Sequence, residues 1–172
     1  MKKGWNITEK IICTILQGWA LYYLYAITYE VYASGQKSLQ MGLITHDNMK
    51  YGDLFRTMHI YYFMGLMCLY GGLALLYDRK GGWVASVTTT ALFTGFLLVS
   101  GRNGIIKDNS AQIMASVGYL IAAFVFASMF IILLLKPFRA KYKPTIYNWL
   151  VITGIIVLVL LDRNVLMPML KK

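Results

Sequence analysis

YGDLFRTMHIYYFMGLMCLYGGLALLYDRK, residues Tyr51 to Lys80, is the stretch that decides the fold. No charged residue lies between Ile60 and Tyr77. At ~1.5 Å per helical residue, that run and one further turn cover the ~30 Å hydrocarbon core of a bilayer. Asp53, Arg56 and His59 stand at its entrance, and Asp78, Arg79 and Lys80 close its far end. The pattern is that of a membrane helix with a polar mouth.

Outward from it, the rest of the chain repeats the same alternation of apolar runs and short charged ends. Of the 172 residues 58% are hydrophobic and 14% charged, against roughly 45–50% and ~25% in soluble domains. The formal net charge is +10. Because the basic residues flank apolar runs and do not gather with aromatics on a polar domain, lipid headgroups are the expected counter-charge and nucleic acid is not. Cys13 and Cys68 stand alone inside apolar runs, with no CxxC and no companion histidine, and read as small buried hydrophobes. The N-terminus has a basic start and an apolar run, but bulky Tyr, Trp and Leu continue to Glu30 without an A-x-A-like site. A retained first span is expected there, not a cleaved signal.

Five apolar segments emerge, at 11–31, 56–77, 83–100, 113–135 and 147–161. Every backbone amide in hydrocarbon needs an internal partner, and the alternation of barrel strands is absent. The predicted fold is therefore all-α, a polytopic transmembrane bundle of five helices in one domain. Residues 33–53 are predicted as an outer loop, in which Leu39, Met41, Leu43 and Ile44 suit a short amphipathic piece on the membrane surface. DRKGGW allows only a tight reversal, so the second and third spans should be antiparallel neighbours. Asn109 or Ser110 is a plausible cap for the fourth, and KPFRAKYKPTIY joins the fourth to the fifth. Lys136, Arg139, Lys141 and Lys143 form the densest basic cluster. Placing it in the cytoplasm gives an N-terminus inside and a C-terminus outside, in a bacterial cytoplasmic membrane.

Five crossings put the end of the first span, the start of the second and the ends of the third and fifth on one side. A polar pocket facing away from the cytoplasm is predicted there, built from Tyr22, Tyr25, Tyr29, Glu30, Arg56, His59 and Arg102. Gly18, Tyr22, Tyr25, Tyr29 and Tyr32 follow three- and four-residue spacing, and Trp19, Tyr23, Ala26 and Glu30 form the adjacent row. The tyrosine stripe reads either as an interfacial belt with ordinary packing or as a slot for a lipid-like ligand. A structural ion pair is one reading of Arg56 with Asp53 or Glu30; proton handling by His59 beside Glu30 is another. His46 is the one other histidine and falls in the outer loop, so no haem, metal or other cofactor is expected. Thr88, Thr89, Thr90 and Thr94 suit hydroxyls bonded back to carbonyls one turn earlier, or the lining of a polar path. Gly65, Gly71, Gly72, Gly95, Gly101 and Gly118 suit close helix approach.

No GxSxG, HExxH or phosphate-binding loop occurs, and no proline breaks the third or fourth span. The expected role is a non-enzymatic accessory or assembly subunit, held in the bilayer with a membrane-protein partner or a second copy. A lipid-binding or transport protein using the outer pocket is the alternative. A membrane enzyme with Glu30 and His59 as acid and base comes third.

Arg56, then Gly65 and Leu66, a short basic turn at Arg79 and Lys80, and a third span ending in Gly101 and Arg102 together resemble small bacterial membrane proteins of the family called domain of unknown function 4345. The resemblance covers less than half of the chain, which differs in its polar first loop and its added fifth span. It implies four core helices and no chemistry.

Overall fold

Long apolar runs without proline satisfy their backbone most simply as helices, and the three prolines fall at 137, 144 and 168, outside the first four runs. The computed structural model describes residues 3–41, 51–106 and 110–162. Six helices carry them: α1 (Lys3–Gln40), α2 (Tyr51–Leu76), α3 (Lys80–Ile106), α4 (Ser110–Leu134), α5 (Lys136–Tyr142) and α6 (Ile146–Leu161). Helices α1 to α4 are each long and apolar enough to cross a membrane. The pair α5 and α6 supplies a fifth candidate, bent by 109° at its break.

Helix α3 runs through the centre, with α2, α4 and α6 packed on it and α1 packed on α2. Its Trp83, Val87, Leu92 and Phe93 are buried, and so are Ser86, Thr88, Thr89 and Thr90. The threonine run is satisfied within its own helix. Thr88 donates to the carbonyl of Val84 at 2.8 Å, Thr90 to Ser86 at 2.7 Å and Thr94 to Thr90 at 2.7 Å, while Thr89 donates to Ala85. Back-bonding, and not a polar path, accounts for these four hydroxyls. Facing outward, α1, α4 and α6 present Leu21, Ile121, Phe124, Ile131, Leu150 and Leu158, a surface suited to hydrocarbon.

The turn after α2 is built as a helix-terminating motif. Arg79 N–H bonds the carbonyl of Ala74 and Asp78 N–H that of Leu75, with Asp78 at φ 55° in the left-handed conformation usual for glycine. Gly82 then lies so close to α2 that a Cβ would fall on the backbone of Ala74 and Leu75. Trp83, one residue on, donates its indole N–H to the carbonyl of Leu133 at 3.0 Å and meets Trp149 edge-on, locking α3 to α4 and α6.

Three departures from the sequence reading have local causes. Helix α1 continues to Gln40, well into the expected loop, because Ser34 to Gln40 is polar but holds no proline and only one glycine. Met41 follows it as a turn, and Leu43, Ile44 and His46 lie outside the described residues. The stretch read as a plain connector forms α5, with Pro137 in its first turn, Lys143 in a left-handed C-cap and Pro144 just beyond. Phe138 and Tyr142, four residues apart, are its buried face. Gly95 and Gly118, read as close-packing positions, meet nothing within 4 Å. Ser110 opens α4, and Asn109 lies outside the described residues.

Thermal unfolding in detergent should separate the two kinds of glycine. Gly82→Ala is expected to cost about 1–3 kcal/mol through forced separation of α2 and α3. Gly95→Ala should be neutral or gain up to ~1 kcal/mol from helix propensity; equal losses at both positions would contradict the packing described.

Candidate functional site

The row Trp19, Tyr23, Ala26 and Glu30 on α1 faces a cavity of about 350 Å³, completed by Met58 and Tyr61 of α2, Phe93, Phe96, Leu97 and Ser100 of α3, and Tyr119 of α4. Trp19 to Glu30 spans about 16 Å of helix, so the cavity is long and narrow. Its closed end is an aromatic cluster. Tyr23 stands edge-on to Phe93 at 4.8 Å, and Trp19 meets Phe93 at 6.0 Å and Phe126 at 5.1 Å. Tyr61 contacts Phe96 at 6.1 Å along the wall. The indole N–H of Trp19 is buried there with no acceptor among the described residues. Such an unmet donor costs ~1–3 kcal/mol and is normally explained by something that completes it. At the other end Glu30 and Ser100 are exposed, giving the cavity a polar rim.

Of the residues proposed for the pocket, Tyr22 and Glu30 line this cavity. Tyr25 and Tyr29 do not: they are largely exposed on another face of α1 and stack on each other at 6.4 Å. His59 is directed to the end of α6, with Nε2 3.3 Å from Oδ2 of Asp162. Arg102 is exposed near the end of α3, outside the cavity wall. Arg56 lies on α2, and its side chain is outside the described residues, as is that of Asp53. The start of α2 and the end of α6 thus meet, and His59 is not among the residues that line the cavity with Glu30. The aromatic residues from α3 and α4 were missed in sequence, since phenylalanines in an apolar span carry no mark of which side they face.

A second polar site, also missed, closes the opposite end of the bundle. Glu9 is only 6% exposed. Lys141 of α5 donates to its Oε2 at 2.6 Å and also to Asp78, and the Tyr142 hydroxyl donates to its other oxygen. Burial works against the charge on Lys141, but its hydrogen bonds to Asp78 and Glu9 outweigh this and hold the ammonium above the ordinary lysine range. Burial, then the bond to Glu9, pushes the Tyr142 phenol well above its usual range. A cavity of about 200 Å³ adjoins the cluster, lined by Asn6, Lys10 and Cys13 among others. Glu9 and Lys10 sit in a polar N-terminal stretch that reads as a flank of the first span, and their partners lie far away in sequence.

Among the described residues, no three His, Cys, Asp or Glu side chains are grouped as metal ligands. The geometry defines a helical bundle with one aromatic cavity and one buried ion cluster, at opposite ends. No protein-family model, curated protein or solved structure matches the chain. The likeness noted at the second and third spans is one of residue pattern and assigns no site.

Lys141→Met strands a buried carboxylate, and is expected to lower stability by about 3 kcal/mol. Adding Glu9→Gln should restore part of that loss, a coupling that a double-mutant cycle in detergent would measure. The pH sign follows from the raised lysine. Its contribution is fully present below about pH 10.5 and is lost as pH climbs through the higher folded value. Lys141→Met should remove that alkaline decline.

Proposed function

We propose that the chain is a non-enzymatic membrane protein that binds an amphipathic, mostly apolar ligand in the aromatic cavity between α1, α2, α3 and α4. In this reading it crosses the membrane five times with its N-terminus in the cytoplasm, and the cavity opens on the far side. The observation that carries it is the buried Trp19 N–H with no acceptor, on the wall of a long aromatic cavity whose rim holds Glu30. Rings set edge-on offer flat apolar faces for a hydrocarbon or ring body. Trp19 asks for an acceptor oxygen, and Glu30 for a hydroxyl, amide or cationic group. The acid–base reading has no comparable support, since His59 is beside Asp162 and not on the cavity wall.

A second reading, as an accessory or assembly subunit, is favoured by one observation. Tyr22, Tyr25, Tyr29 and Tyr32 form an exposed row along about 15 Å of α1, deeper than an interfacial belt. A partner helix meeting this row would bury four hydroxyls and gain hydrogen bonds in a setting that lacks water.

Mass spectrometry of the protein purified in mild detergent tests the first reading. Wild type should retain one small apolar molecule, Ala26→Trp should lose it by filling the cavity, and Glu30→Gln should retain about tenfold less. Tyr29→Ala should retain it fully. The same molecule held equally by wild type and Ala26→Trp would rule the cavity out.

A further inference from the structure

A cavity of about 520 Å³ forms a groove on the outer side between α2, α3 and α6. Leu66, Val84, Val151 and Ile155 make its length apolar, while Lys80 and Asn148 bring a cation and an amide. Lys80 opens α3, Asn148 lies in the first turn of α6 and the Tyr70 hydroxyl stands beside Gly81, so the polar groups belong to the same end of the groove. The chain's charge is arranged around that end. Arg79, Lys80, Lys136, Arg139 and Lys143 are all exposed there. The two described carboxylates nearby, Glu9 and Asp78, are both engaged by Lys141. Neither α3 nor α6 carries an acid in its first turn, and the Thr145 side chain makes no cap bond to the backbone of α6. The field at the head of the groove is therefore positive, while its length can accept only hydrocarbon.

We propose that this groove holds one acyl chain of an anionic phospholipid, with the lipid phosphate against the Lys80 ammonium and the Asn148 amide. The site is distinct from the aromatic cavity, which α1 and α4 help to form and which this groove does not touch. A lipid seated here bridges α2, α3 and α6 along a seam that the chain leaves open. A zwitterionic lipid has the same chains but carries a cation beyond its phosphate, which the Lys80 ammonium at the head of the groove repels.

The test is native mass spectrometry of the full chain in detergent, with equal amounts of dioleoyl phosphatidylglycerol and dioleoyl phosphatidylcholine. Wild type should retain one phosphatidylglycerol with about tenfold preference. Lys80→Gln, an exposed position that leaves the core alone, should cut that preference about fivefold, and Val151→Trp should lose both lipids by filling the groove. Arg139→Gln, on the same basic end but outside the groove, should behave as wild type. Equal retention of the two lipids by wild type would overturn the proposal. So would an Arg139→Gln loss as large as that of Lys80→Gln, because the selectivity would then belong to the basic surface as a whole. Should Val151→Trp fail to fold, the contrast between Lys80→Gln and Arg139→Gln decides alone.

Discussion

Lys141 holds together parts of the chain that lie 132 and 63 residues from it, Glu9 in α1 and Asp78 at the turn after α2. Taking a carboxylate and an ammonium out of water costs several kcal/mol each, so the cluster persists only because each charge is met more than once. Glu9 accepts from both Lys141 and Tyr142, and Lys141 donates to two acids. Asp78 accepts a left-handed backbone to take part. The result is a bundle closed at one end, where α5 lies across the ends of α1 and α2 as a tie.

The opposite end is held differently. From the middle of the bundle toward that end the helices meet through rings: Trp19, Tyr23, Phe93 and Phe126 in one cluster, Tyr61 and Phe96 in another. Edge-on rings do not fill space as aliphatic side chains do, and a cavity is left between α1, α2, α3 and α4. At the closed end Gly82 and Trp83 bring α2, α4 and α6 hard against α3. One end is closely packed and the other has room, and both follow from which residues stand along α3.

The helices themselves were legible because apolar length is a property of the chain alone. All five predicted segments fall on helices, and the tight DRKGGW reversal stands as expected, since a left-handed Asp78 follows the end of α2 and α3 begins at Lys80. What was not legible depended on pairing. Nothing near Glu9 in sequence names Lys141, and α5 is too short at seven residues for apolar periodicity to announce it. Its paired prolines, 137 and 144, were the available signal. Of the residues read as one pocket, Tyr22 and Glu30 line the aromatic cavity, while Tyr25 and Tyr29 lie on another face of α1.

The turning of those two tyrosines away from the cavity has a general cause. In water an apolar stripe marks the buried face of a helix, but in hydrocarbon both faces are apolar and the rule loses its meaning. Small and compact residues carry the information instead. Cys13, Leu16, Ala20 and Ile27 are the buried line of α1, and the carbonyl of Cys13 and the side chain of Leu16 lie against Gly72 of α2. At about 100° per residue, Trp19, Tyr23, Ala26 and Glu30 fall roughly 60–120° from that line, at the edge of the packed face where a cavity can open. Gly18, Tyr25, Tyr29 and Tyr32 fall roughly 120–180° from it, on the far side, while Tyr22 of the same row still reaches the cavity beside Trp19. The tyrosines are conspicuous in sequence because they are large and polar-tipped, yet it is the unremarkable Cys13, Leu16 and Ala20 that set which way α1 turns, and so which aromatic row meets the cavity.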